Sequence, residues 1–205
     1  MLSTAAPVSA PKPLTPVDIF NEALGYVPLV HVPVADGQKA LMIGPSTIPA
    51  AQIALRYPSF SEVVITGEVP SSAPRDPRVH LVPRLADLPP SWKADLITIA
   101  IANITPEILT AARAHSNQRT VVVIAVPAAS QARQLKDLVR RFWPVVAPYR
   151  EHLPEPAYFF LASDVGISRS ARMIPAQSRR LTEKYVPALF TFAKDEYAML
   201  FGGTP

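Results

Sequence analysis

Five short, nearly unbroken apolar runs separated by helical patterns constrain this chain more than any other feature. They are 39–43 (KALMI), 62–66 (EVVIT), 79–82 (VHLV), 95–101 (DLITIAI) and 120–126 (TVVVIAV). A strand with one wet face alternates apolar and polar residues, whereas a run apolar at almost every position is buried on both faces, as in a parallel sheet covered by helices on either side. Residues 47–57 and 105–115 between the runs carry helical spacing. The pattern is clearest over 129–142, where Leu135, Leu138, Val139 and Phe142 fall on one face and Arg133, Lys136 and Arg140 on another. The predicted architecture is α/β, a mostly parallel, doubly wound sheet. Two last strands, 145–152 (VVAPYREH) and 157–163 (AYFFLAS), are too close for a helical crossover, so they are expected to close the sheet as an antiparallel pair.

The folded domain is predicted to begin at Thr15, which can cap a helix whose first residue is Pro16 and whose first turn holds Asp18. Ahead of it, Pro7, Pro11 and Pro13 mixed with alanine and serine make residues 1–14 an extended arm unable to form a core. The expected organisation is therefore an arm, 1–14, and a domain, 15–205, with other protein chains ordering the arm in a homo- or hetero-oligomeric assembly. With 49% hydrophobic and 18% charged residues, the domain can bury a full core. The absence of cysteine excludes a disulfide framework and thiolate chemistry, and the four histidines (31, 80, 115, 152) show no ligand spacing, so no metal is expected. No apolar run approaches the roughly 20 residues of a membrane span. The proline-bearing start does not read as a secretion signal, so a cytoplasmic or virion-associated location is expected. A formal charge of +4 is too small and dispersed to indicate nucleic acid by itself.

Particular segments resemble one family of the methyltransferase-like Rossmann architecture, the spermidine synthases (polyamine aminopropyltransferases). EALGYVPLVHVP (22–33) is similar to the family's E-M-L-x-H-x-P-L stretch, and LMIGPSTIPAAQIALRYPSFSEVVITGE (41–68) to its stretch from glycine-rich loop to second strand. RRFWPVVAPYREHLPEPAYFFLAS (140–163) resembles the F-P-x-V-x-x-Y…P…W-x-F-x-x-A-S signature, and LTEKYVPALFTFA (181–193) the closing helix. The resemblance spans roughly residues 20–195 and implies a decarboxylated S-adenosylmethionine cofactor and a polyamine acceptor.

The site residues that the resemblance implies are mostly replaced. Of the cofactor loop's glycines only Gly44 remains, followed by Pro45, Ser46, Thr47, Ile48 and Pro49; prolines remove backbone donors, and the stretch reads as a plain strand-to-helix connection that Ser46 or Thr47 could cap. The carboxylate that would hold the ribose falls at Gly67, with Glu68 one residue on; only a bulge would return Glu68 to the site. The acid that would meet adenine falls near Pro83-Arg84-Leu85, and arginine accepts no hydrogen bond. The general base of the family's D-S-[ST]-D-P aligns with Ala100 and its second Asp with Asn103, leaving Glu107 as the nearest acid, at a helix start. Tyr26 stands at the family's His, where it could line a remnant pocket or pack. The family's N-terminal β-sheet domain, which assembles oligomers and roofs the active site, has the arm in its place.

The expectation is thus a catalytically degenerate spermidine-synthase-like domain, not an enzyme and without cofactor. It would serve as an interaction or structural subunit of a larger assembly, of which a bacteriophage virion is one example. Partner contacts would involve Pro7, Pro11 and Pro13 of the arm and Arg169, Arg172, Arg179 and Arg180 of a basic tract. One alternative is an active adenosyl-cofactor-dependent aminopropyl- or methyltransferase using Glu68 with Asn103 or Glu107. Another is an electrostatic nucleic-acid binder through residues 169–184. Tyr149, Tyr158, Phe159, Phe160, Trp143 and Phe192 are expected in the core.

Overall fold

A computed structural model of the chain describes residues 15–67, 72–126, 128–149 and 158–166. The first helix, α1 (Pro16–Leu29), starts as its sequence requires. Thr15 Oγ1 accepts from the Asp18 backbone N–H at 3.2 Å, and the Asp18 carboxylate accepts from the Thr15 N–H at 2.9 Å, a reciprocal capping box. The order continues β1 (Gln38–Ile43), α2 (Ile48–Ala54), β2 (Phe60–Thr66), β3 (Val79–Val82), β4 (Ala94–Ile99), α3 (Pro106–Ala114), β5 (Ser116–Val126), α4 (Ala132–Arg140), β6 (Val145–Tyr149) and β7 (Tyr158–Ser163).

The strands form one sheet in the order β3-β2-β1-β4-β5-β7-β6. All pairs from β3 through β5 are parallel, and β7 runs antiparallel to both β5 and β6. The apolar runs predicted this: β1, β2 and β4 are buried at nearly every position. From β1 the chain winds one way to β2 and β3, and from β4 the other way to β5. Right-handed crossovers therefore place α2 on one face of the sheet and α3 and α4 on the opposite one. α1 packs against α2 and so shares its face.

Several predicted boundaries move for local reasons. β4 ends at Ile99 rather than residue 101, because Ala100 makes one last pairing, its N–H donating to Ile43 O at 3.0 Å, before the chain turns away. β5 starts at Ser116, ahead of its apolar run; the Thr120 hydroxyl reaches Ala94 O at 2.6 Å and its oxygen accepts from Asn117 N–H at 2.7 Å, holding a polar lead-in to the ladder. The helix expected over 129–142 is a 3-10 turn, Ala129–Gln131, followed by α4.

α1 and α2 approach closely enough that a β-carbon on Gly25 would lie 2.3 Å from Ile53 Cδ1. Tyr26 is buried and packs; its hydroxyl oxygen accepts from Arg56 Nη1 at 2.5 Å, and the guanidinium lies 6.0 Å from the ring centroid. Trp143, Phe159 and Phe160 are core residues, as expected. The side chains of Tyr149 and Tyr158, and Phe192, lie outside the described set. Among the described residues no helix is long and apolar enough to cross a membrane.

Candidate functional site

In an open α/β sheet the crevice for a ligand lies beyond the carboxyl ends of the strands where the winding reverses. Here that point lies between β1 and β4. Gly44, directly after β1, donates its N–H to Thr66 O at 3.1 Å, so the ladder continues one residue past the strand. Its φ of +100° and ψ of 158° belong to backbone space that is essentially glycine's alone. A β-carbon there would lie 2.3 Å from Ile101 Cγ2 and 2.5 Å from Ala100 O. The space that Gly44 leaves free is thus taken by the chain itself, through the branched side chain of Ile101.

The turn after Gly44 is also self-contained. Thr47 N–H donates to Gly44 O at 3.2 Å, the Thr47 hydroxyl donates to the same oxygen at 2.6 Å, and Ile48 N–H donates to Pro45 O. Pro45 and Pro49 have no N–H to offer. Ser46 is exposed, and neither it nor Thr47 caps α2 by its side chain, which corrects the expectation of a capping role there. Across the crevice Gly67 ends β2 with φ +97°, and its missing β-carbon would sit 4.0 Å from Gly44 Cα, so the two glycines face one another. Glu68 lies outside the described residues, as do Pro7, Pro11, Pro13, Arg169, Arg172, Arg179 and Arg180.

Beyond β3, Arg84 grips Asp87 through Nε (3.3 Å) and Nη2 (2.9 Å), and that bond lowers the Asp87 carboxyl below its ordinary value. After β4, Ala100 is buried while Asn103 is exposed. Glu107 lies in the first turn of α3, where hydrogen bonds from the Thr105 hydroxyl and its own backbone N–H lower its carboxyl. Among the described residues, the sequence-predicted positions fall in two places. Gly44 and Ala100 meet backbone to backbone, and Asn103 instead lines a separate cleft of 230 Å³ with Ile104, Gln131, Gln134, Leu135 and Leu138.

Two features escaped the sequence reading. Ile101 is one more apolar residue in an apolar run, and nothing marks it as the side chain that packs against Gly44. Arg78 is the second: it donates to Leu55 O (2.7 Å), Tyr57 O (3.3 Å) and Phe60 O (3.2 Å) and forms a two-pronged pair with Asp76 at 3.0 and 2.8 Å, tying the approach to β3 to the end of α2. The Asp76-Pro77-Arg78 turn was the one signal that could have revealed it.

No family model matches the sequence, and no curated protein does. Among solved structures, the chain is similar to a spermidine synthase in complex with the transition-state analogue AdoDATO, with TM-score 0.64 and 17% identity over 88% of this chain and 74% of that one. The spermidine synthase of Thermotoga maritima gives the same score and identity over 88% and 75%. Human methyltransferase-like protein 13 in complex with SAH matches with TM-score 0.53 and 10% identity over 86% of this chain and 90% of that one. At these identities the likeness is one of fold: the chain has the methyltransferase-like Rossmann fold found in spermidine synthases.

Proposed function

We propose that this chain is a catalytically degenerate spermidine-synthase-like domain that serves as an interaction or structural subunit of a larger assembly. The observation that carries the reading is the packing of Ile101 and Ala100 O against Gly44 at the point where the winding reverses. That packing leaves little room beside Gly44 for an adenosyl cofactor. The nucleoside needs open space over the glycine and backbone donors in the turn, and this chain offers a side chain and prolines. The chemistry for aminopropyl transfer is missing as well. Ala100 bears no functional group, the Asn103 amide cannot take up a proton, and Glu107 is held by its own helix start. On the loops following β3 and β4 the described carboxylates, Asp87 and Glu107, are both already engaged. The lack of cysteine suits a subunit of a large assembly such as a virion.

Calorimetric titration with methylthioadenosine and S-adenosylmethionine up to millimolar concentration tests the first half of the reading, and native mass spectrometry of protein from its natural source tests the second. The expected results are no binding and a multi-chain mass. Saturable nucleoside binding, or a lone chain carrying an adenosyl-sized adduct, would overturn the proposal.

A further inference from the structure

The 230 Å³ cleft at the carboxyl edge is lined by carboxamides and aliphatic side chains, with no charge. One wall is a single helical stripe, Gln131, Gln134, Leu135 and Leu138, at spacing i, i+3, i+4 and i+7; Asn103 and Ile104 form the other. From these residues and the arm sequence we propose that the cleft is a receptor for an extended, proline-rich segment, and that its occupant is residues 1–14 of the same chain. The inference is independent of the functional reading above.

Three observations carry it. First, polyproline II geometry has three residues per turn, so every third residue shares an edge. Read at that period, the arm places Leu2, Ala5, Val8, Pro11 and Leu14 on one edge and Ser3, Ala6, Ser9 and Lys12 on another. The third edge, Met1, Thr4, Pro7, Ala10 and Pro13, is largely apolar too, so in that conformation the sequence keeps Lys12, its one charged side chain, off two apolar edges. Second, such a segment makes no internal hydrogen bonds, so its carbonyls are acceptors in need of donors. Carboxamide N–H groups beside leucines supply them without a competing charge. The dimensions agree: Val8 and Pro11 stand about 9 Å apart along such a helix, and Leu138 lies about 10 Å along the helix axis from Gln131, the cap residue of α4, at 1.5 Å per residue.

Third, the arm starts in the right place. α1 packs on β5 and β7, with Phe20 6.4 Å from Phe159, which pairs with Ala125 near the end of β5. Thr15, a turn further on, therefore lies at the carboxyl edge, as does the cleft, but on the other face of the sheet. Going round the edge means crossing about 20 Å for helix layers 10–12 Å wide, and Val8 lies about 22 Å of extended chain from Thr15. A tethered segment also has a concentration advantage over any separate chain, on the order of millimolar.

The cysteine-free chain allows a single nitroxide label on the full-length protein, at Ser9→Cys. At dilution, amide signals of Ile104, Gln134 and Leu138 are expected to lose most of their intensity relative to the reduced label. Val8→Asp with Pro11→Ser in the same labelled chain, two changes outside the folded core, should restore them. Unchanged signals in the labelled chain, or broadening that persists in the arm variant, would overturn the proposal. So would broadening that appears only when labelled chains are mixed with isotope-enriched unlabelled ones, because that places the arm in a second copy.

Discussion

Replacing Gly44 with alanine tests whether the crevice is closed by the chain itself. Two costs add. The backbone conformation, φ +100° and ψ 158°, is one that an L side chain reaches only with strain of about 1–3 kcal/mol. The new β-carbon must also displace Ile101 Cγ2 from 2.3 Å and the Ala100 carbonyl from 2.5 Å, and overpacking of this kind costs about 1–3 kcal/mol. The sum, about 2–6 kcal/mol, is a large share of a typical stability of about 5–15 kcal/mol. In urea, with a slope near ~2 kcal/mol per molar, the midpoint should fall by roughly 1–3 M at unchanged slope. Gly37 is the matched control: its φ is +75° but a β-carbon there would meet nothing within 4 Å, so Gly37→Ala should show strain alone, about 1–2 kcal/mol. Adding Ile101→Ala to Gly44→Ala should recover only part of the excess, because the Ala100 carbonyl stays in place. If Gly44→Ala proves no worse than Gly37→Ala, the crevice is open and the argument against a nucleoside collapses.

Three further perturbations probe the frame around the site. Arg78→Ala removes hydrogen bonds to three backbone carbonyls and should cost about 2–3 kcal/mol in chemical denaturation, with lysine recovering less than half because it lacks the planar fork. The hydrogen bonds of Arg78 hold the Asp76 carboxyl at about 2, so the pair stabilises the fold above the ordinary value of 3.8, and the penalty of Arg78→Ala should shrink as pH falls through about 2. Burial raises the Glu22 carboxyl, with Arg56 opposing and Asp18 adding to the shift; a raised carboxyl stabilises at low pH and loses that contribution as pH rises, so Glu22→Gln should gain stability at pH 7 relative to wild type and lose the advantage by pH 4, read as urea midpoints. Gly25→Ala should destabilise by roughly 1–2 kcal/mol, helix propensity offsetting part of the collision with Ile53, and Ile53→Val, which deletes Cδ1, should relieve it in thermal melts.

The sheet was legible because burial on both faces leaves a one-dimensional trace: the runs around Leu41, Val64, Ile97 and Val123 are apolar whichever way each side chain points. The start of α1 was legible for a different reason, since Thr15, Pro16 and Asp18 each satisfy a local requirement of a helix end. Where tertiary contacts decide, the trace fades. The run DLITIAI does not show that the strand ends at Ile99 and that Ile101 packs against Gly44, because both jobs call for the same kind of residue. The polar lead-in of β5 is held by Thr120 and Asn117 against Ala94, and hydropathy carries no sign of it. At the site, the positions Gly44, Ser46, Ala100 and Asn103 could be found by alignment to a family pattern, but the placement of Asn103 beside Gln131 and Gln134, separate from Gly44, is a property of loops in space.

That separation bears on how one fold can vary its loops and keep its shape. The strands hold themselves together through ladders and two-sided burial, and neither depends on what stands one residue past a strand's end. An alanine at position 100 and an isoleucine at 101 leave the pairing of β1 with β4 intact; they even extend it, through Ala100 N–H to Ile43 O. Neither side chain carries a proton acceptor, and Ile101 packs against Gly44. The packing of Ile101 against Gly44 adds apolar contact and is expected to stabilise the fold. On this account Ile101→Gly should lower stability without creating affinity for methylthioadenosine, because Pro45 and Pro49 still withhold backbone donors. Stability that rises, or nucleoside binding that appears, in that single variant would show that Ile101 strains the crevice instead of sealing it.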